Sequence, residues 1–127
     1  MTLNDEPLTN DYSHFVRRLA KPGQDILAGM TPEQANLMHM AIGIAGEAGE
    51  LLDAIKKHVV YGKTLDMTNV IEELGDLEFY QEGMRQAIGV SRNYILQQNV
   101  NKLAVRYESL QYSDQAAAAR ADKAGES

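Results

Sequence analysis

The sequence predicts an all-α fold: an antiparallel helical bundle with two long central helices. Three observations lead there. Apolar residues recur at steps of three and four through two long segments, Thr31 to His58 and Thr68 to Ile88, which is the period of a helix. Capping residues open these segments and glycines close them. The linker between them, Thr64 to Met67, is too short for anything but an antiparallel neighbour. Nowhere does the chain alternate apolar and polar residues as a strand would.

Met1 to Pro7 reads as a loose leader. Thr9, Asn10 and Asp11 supply capping side chains for a short helix reaching about Ala20, with Tyr12, Phe15, Val16 and Leu19 on its inner face. Pro22-Gly23 ends it, and Gln24 to Met30 reads as a loop or turn. Thr31-Pro32-Glu33-Gln34 is a strong start: Thr31 as N-cap, Pro32 in the first turn and Gln34 placed to complete a capping box. The long helix that follows runs about eight turns and stops near Tyr61-Gly62-Lys63. Leu37, Ile44, Leu51, Ile55 and Val59 form its apolar stripe. Asn36, Met40, Gly43, Glu47, Glu50, Ala54 and Lys57 share the neighbouring arc.

The next helix is capped by Asp66 or Thr68 and ends at Gly89. Val70, Leu74, Leu77 and Met84 are its apolar residues, and Asn69, Glu72, Glu73, Asp76 and Tyr80 its polar arc. Ser91 caps a last helix from Arg92 to about Tyr112, with Ile95, Val100, Leu103 and Leu110 as core candidates. Asn99, Lys102 and Arg106 line one side of it at steps of three and four. Residues 1–112 thus form one domain, and the Ala-rich tail 113–127, with no large apolar residue to bury, is expected to fray.

The bulk composition narrows the functional classes. With 127 residues the chain suffices for a single core, and the absence of cysteine removes disulfide scaffolds and thiolate zinc sites. No apolar run reaches the length of a signal peptide or a membrane span, so a cytoplasmic protein is expected. A formal net charge of −6 argues against nucleic acid polymers and anionic membranes as partners.

The chemistry concentrates in two acidic pairs, Glu47 with Glu50 and Glu73 with Asp76. Residues three apart lie one turn apart on one side of a helix. A single such pair is ordinarily part of a solvated face, because glutamate is a good helix former. Two pairs on adjacent antiparallel helices are different. They gather four carboxylates whose mutual repulsion a divalent cation would relieve. Oxygen-only ligation suits Mg2+, with Mn2+ as a substitute, and such ions leave open positions for phosphates and water. Di-iron bundles use Glu-x-x-His pairs, which this chain lacks. Hydrolysis of a phosphoanhydride or phosphate ester follows from that reading.

The stretches Gly46-Glu47-Ala48-Gly49-Glu50-Leu51, Glu72-Glu73-Leu74-Gly75-Asp76-Leu77 and Asn99-x-x-Lys102-Leu103-x-x-Arg106-Tyr107 resemble, in order, the three segments of the MazG-like all-α nucleoside triphosphate pyrophosphohydrolases. These are relatives of dimeric dUTPases and of phosphoribosyl-ATP pyrophosphohydrolase. The resemblance covers about Thr31 to Tyr107. It implies Glu47, Glu50, Glu73 and Asp76 as catalytic Mg2+ ligands, Lys57, Asn99, Lys102 and Arg106 as contacts to the triphosphate, and conversion of a (d)NTP and water to (d)NMP and pyrophosphate. It also implies a homo-oligomer, dimer or tetramer, which the limited area of two long helices favours independently. Many members carry an extra Glu directly before the first motif Glu, proposed to orient the attacking water; this chain has Gly46. Asn36 and Met40, about three and two turns before Glu47, are candidates for a base pocket, with Tyr12 and Phe15 as stacking walls. The alternative reading is a non-catalytic helical module that binds nucleotides or a partner helix.

Overall fold

The structure is a computed structural model that describes the backbone of residues 8–123 and the side chains of 11–123. The expected leader and the capping side chains of Thr9 and Asn10 lie outside the described side chains. Every regular element among the described residues is helical: α1 (Leu8–Leu19), α2 (Gly23–Gly29), α3 (Pro32–Val59), α4 (Met67–Ile88), α5 (Arg92–Arg106), α6 (Asp114–Ala119) and a 3₁₀ turn, Ala121–Lys123. Two compact units divide the chain, residues 1–35 and 36–127. None of the described helices is long and apolar enough to cross a membrane.

In the first unit Tyr12 and Phe15 stack on each other, ring centroids 6.2 Å apart, as residues one turn apart on α1 can. The expected loop after Pro22 is instead the two-turn helix α2. Pro22 stands at its N-cap in extended conformation, and its carbonyl accepts from the N–H groups of Asp25 and Ile26 at 3.0 and 3.1 Å. The residue that ends α1 therefore begins α2. The capping box at the head of α3 is fully formed. Gln34 N–H donates to Thr31 Oγ1 at 3.1 Å, and Thr31 N–H donates to Gln34 Oε1 at 3.0 Å.

The second unit holds most of α3 together with α4, α5 and α6. Gly62, at φ 65°, turns the chain after α3, where the His58 ring Nδ1 meets the Lys63 carbonyl at 2.7 Å. Asp66 caps α4 by accepting from Asn69 N–H at 3.0 Å, and Gly89 closes it in the left-handed conformation at φ 69°. Ser91 then caps α5, its hydroxyl accepting from Tyr94 N–H at 3.2 Å.

The packing of α3 on α4 rests on two reciprocal seats. The ring of Tyr80 on α4 lies over Gly43 on α3, and Met40 on α3 lies over Gly83 on α4. At each seat a large side chain meets a residue with none. Antiparallel packing follows, because advancing one turn on α3 retreats one turn on α4. Glycine at both seats leaves room for the side chain that faces it. The face that α3 turns to α4 straddles the two arcs read from sequence: Met40, Gly43, Ile44, Glu47 and Leu51 are half-buried, and Ala54 is the most buried described residue at 4 % exposure.

Helix α5 ends at Arg106, earlier than the expected Tyr112. The chain turns there because Leu110, at φ 55°, takes a left-handed conformation and donates its N–H to the Tyr107 carbonyl at 2.8 Å. The segment expected to fray carries α6, capped by Ser113 accepting from Ala116 N–H at 3.1 Å, and the 3₁₀ turn that packs on α5. Of the expected core residues of α5, Ile95, Val100 and Leu103 are exposed, as is Leu110 in the turn beyond its end.

Candidate metal centre between the two long helices

Glu47 stands one turn beyond Gly43 on α3, and Asp76 one turn before Tyr80 on α4, so the two carboxylates lie one turn along from the Gly43 seat. The result is a trio. Glu47, Glu73 and Asp76 each offer one carboxylate oxygen, all within 4.8 Å of one another. A hard cation with oxygen ligands at about 2.1–2.4 Å can bridge such a span.

Glu73 sits at the centre of the trio and shows its strain. Its Oε2 is sealed from solvent without a hydrogen-bond partner. Its acidity is displaced accordingly, the pKa raised to about 7. The causes, in order, are a side-chain hydrogen bond with Glu47, desolvation, and the negative charges of Glu47, Glu50 and Asp76. A proton held by this cluster at neutral pH occupies the role a cation would fill. The donor set is all carboxylate, so the residues present fit a hard divalent ion.

Glu50, expected as a fourth ligand, is exposed and lies outside the trio, although its charge reaches Glu73. Lys57 is held by Asp53 one turn back, Nζ to Oδ2 at 2.8 Å, with both side chains half exposed. The pair shifts each partner: Asp53 holds the lysine above its ordinary value, and Lys57 holds the carboxyl below its own. Asn36 is exposed and Met40 is committed to its seat on Gly83. The space beside Gly43 is filled by Tyr80, whose ring also meets His39 edge-on at 6.2 Å.

On α5, Asn99 and Lys102 are exposed, whereas Arg106 is engaged by the tail. Its Nε donates to Asp122 Oδ1 at 2.8 Å and its terminal nitrogen to Oδ2 at 3.1 Å, a bidentate pair in which the Asp122 side chain is only 3 % exposed. A cleft of about 400 Å³ runs along this junction past Arg106, Ser109, Gln115 and Ala119. A second, of about 320 Å³, lies against Leu103, Tyr107 and Tyr112. The spacing of Gly43, Gly46 and Gly49 offers either a close helix approach or room for a nucleobase beside Gly43, and Tyr80 takes that place, whereas sequence reasoning did not find the Asp122 partner or the Gly83 seat. A glycine in the middle of a helix, as Gly83 is, was the available signal.

Gly46 faces open space, where a Cβ would meet nothing within 4 Å. The chain can therefore accept a side chain directly before Glu47 and simply has none.

Residues 35–110 match the model of the MazG nucleotide pyrophosphohydrolase domain, a span that contains the whole trio and all of α4 and α5. The chain belongs to that family. No significant match was found among curated proteins or among solved structures.

Proposed function

We propose that the protein is a Mg2+-dependent pyrophosphohydrolase that converts a (d)NTP and water to (d)NMP and pyrophosphate, acting on nucleotide pools in the cytoplasm. The observation that carries this reading is the convergence of Glu47, Glu73 and Asp76 about a sealed, unpartnered carboxylate oxygen. Within a nucleotide pyrophosphohydrolase family, that arrangement suits a site that holds a cation between protein and phosphates.

The carboxylates of Glu47, Glu73 and Asp76, joined by Glu50 from its exposed position, would hold the cation, which would offset phosphate charge and make water more acidic. Water cleaves the α,β-phosphoanhydride: its oxygen ends on one of the two phosphates, the bridging oxygen stays on the other, and the monophosphate and pyrophosphate part. The water proton passes to a carboxylate or to solvent. With Gly46 in place of a glutamate, the chain supplies no dedicated base at that position. Lys57, Asn99, Lys102 and Arg106 hold the phosphates, which for Arg106 requires release from Asp122. Asn36 and Met40 flank the base. The protomer leaves Ile42, Leu52, Ile71 and Phe79 each more than 60 % exposed, and a second copy of the chain is the cover we assign to them.

Incubating the protein with each NTP and dNTP and Mg2+ should release pyrophosphate and monophosphate in equal amounts, and Asp76→Asn should abolish both. Orthophosphate as the sole inorganic product, or no turnover of any nucleotide, would refute the assignment.

A further inference from the structure

The trio lies beside the two seats that join α3 to α4. A Cβ added at Gly43 would overlap three ring carbons of Tyr80, and one added at Gly83 would overlap the Met40 sulfur. The other glycines of these helices behave differently: at Gly46, Gly49 and Gly75 a Cβ meets nothing within 4 Å. Two of the five helical glycines thus meet a side chain of the opposite helix, a flat ring at Gly43 and the flexible end of Met40 at Gly83, and both lie on the line that continues into the trio. In register, Met40 faces Gly83, Gly43 faces Tyr80, and the next turn brings Glu47 to Glu73 and Asp76.

Once ionised, and with neither a shared proton nor a cation between them, the carboxylates repel one another, so the trio itself does not hold α3 to α4. In that state their approach has to be imposed from outside. The adjoining seat is the nearest contact able to do so. We infer that Gly43 and Tyr80 are positioning residues for the metal centre: the flat ring resting on bare backbone sets the α3 to α4 spacing and thereby holds Glu47 within coordinating reach of Glu73 and Asp76. The Met40 seat on Gly83 repeats the device one turn further away. This rests on the reading of the trio as a cation site. The ring, not the phenolic hydroxyl, does the positioning, because the ring carbons are the atoms that meet Gly43. A methyl group at position 43 pushes the ring outward and opens the trio, while trimming residue 80 makes room for that methyl and closes it again.

The test measures Mn2+ binding by electron paramagnetic resonance, with helix content followed by circular dichroism. Gly43→Ala should retain its helices and bind Mn2+ roughly ten- to a hundredfold more weakly, the range typical when a group supporting a ligand is lost. Tyr80→Phe should bind as wild type does, and G43A/Y80L should recover most of the lost affinity. Unchanged binding by Gly43→Ala, or a loss that G43A/Y80L leaves in place, would overturn the inference. A metal-free readout separates this outcome from failure of the metal assignment. The chain has no cysteine, so a Glu47→Cys/Asp76→Cys pair reports the approach of the two positions by its rate of disulfide formation. Adding Gly43→Ala should slow that rate at least about tenfold, in keeping with the same loss of support. Equal rates overturn the positioning role even where wild type binds Mn2+, whereas a slowed rate in a chain that binds no Mn2+ refutes only the metal assignment. If Gly43→Ala loses helix content, Gly83→Ala with and without Met40→Ala makes the same comparison at the second seat.

Discussion

Lowering the pH from 8 to 5 should weaken Mg2+ binding by roughly a hundredfold, and the proton responsible should be the one held at Glu73. The magnitude follows from a carboxyl raised to about 7. Such a group is almost fully ionised at pH 8 and about one part in a hundred ionised at pH 5, and only the ionised form binds a cation. Above pH 8 the affinity should level off. The same shift makes the metal-free protein less stable as pH rises. Glu73 has a folded value above its ordinary 4.5, so the unfolded chain releases this proton first. The stabilising contribution is complete below 4.5 and is lost as pH climbs through about 7. Mg2+ should restore at pH 8 what the proton supplies at pH 5. Isothermal titration calorimetry in buffers of different ionisation enthalpy counts the proton released on binding, and thermal unfolding with and without Mg2+ follows the stability. Glu73→Gln should remove the pH dependence of the metal-free protein and raise its melting temperature at pH 8 but not at pH 5. Equal Mg2+ affinity at pH 5 and 8, with no proton released, would refute the geometry proposed for the trio.

Two further outcomes follow from the structure. Arg106 holds the Asp122 carboxyl below its ordinary 3.8, so the support this pair gives the tail is complete above about pH 4 and lost as pH falls below that value. Amide exchange across α6 and the 3₁₀ turn should rise in that acid range, and Asp122→Asn should raise it at neutral pH. Protection unaltered by either change would mean that other contacts hold the tail. The helical glycines should divide sharply on replacement by alanine. Gly46→Ala, Gly49→Ala and Gly75→Ala, which enter open space, should each gain up to about 1 kcal/mol from helix propensity, while Gly83→Ala, which meets Met40, should lower the melting temperature.

Local chemistry made much of this fold legible in the sequence. The Thr31 and Gln34 box, the Asp66 and Ser91 caps and the Gly62 and Gly89 stops each involve residues within a few positions of one another, and all appear where expected. What stayed hidden depended on shape or distance. Helix α2 has seven residues with glycine at both ends, too short for a period to emerge. The end of α5 is set by a left-handed Leu110, a conformation that leucine seldom signals. Asp122 meets Arg106 from sixteen residues away across that turn. The two acidic pairs were visible as motifs, but which three oxygens converge depends on helix phase and on the Gly43 and Gly83 seats.

The site and the exposed apolar surface have one physical origin. The face that joins α3 to α4 sets glycines and carboxylates among its apolar residues, and glycine costs helix stability while carboxylates oppose approach. Little apolar area is buried between these helices: Ala54 is the sole fully buried residue among those described. Several large apolar residues of the pair point elsewhere, with Ile42, Leu52, Ile71 and Phe79 all facing outward. A helical pair built in this way gains little from its own interface. On the proposed function, a cation that relieves the trio and a second copy that covers the opposite faces would each add to the driving force for folding, the latter at roughly 25 cal/mol for each Å² removed from water. Metal binding and self-association should therefore be thermodynamically coupled through folding of the protomer, each favouring the state the other requires.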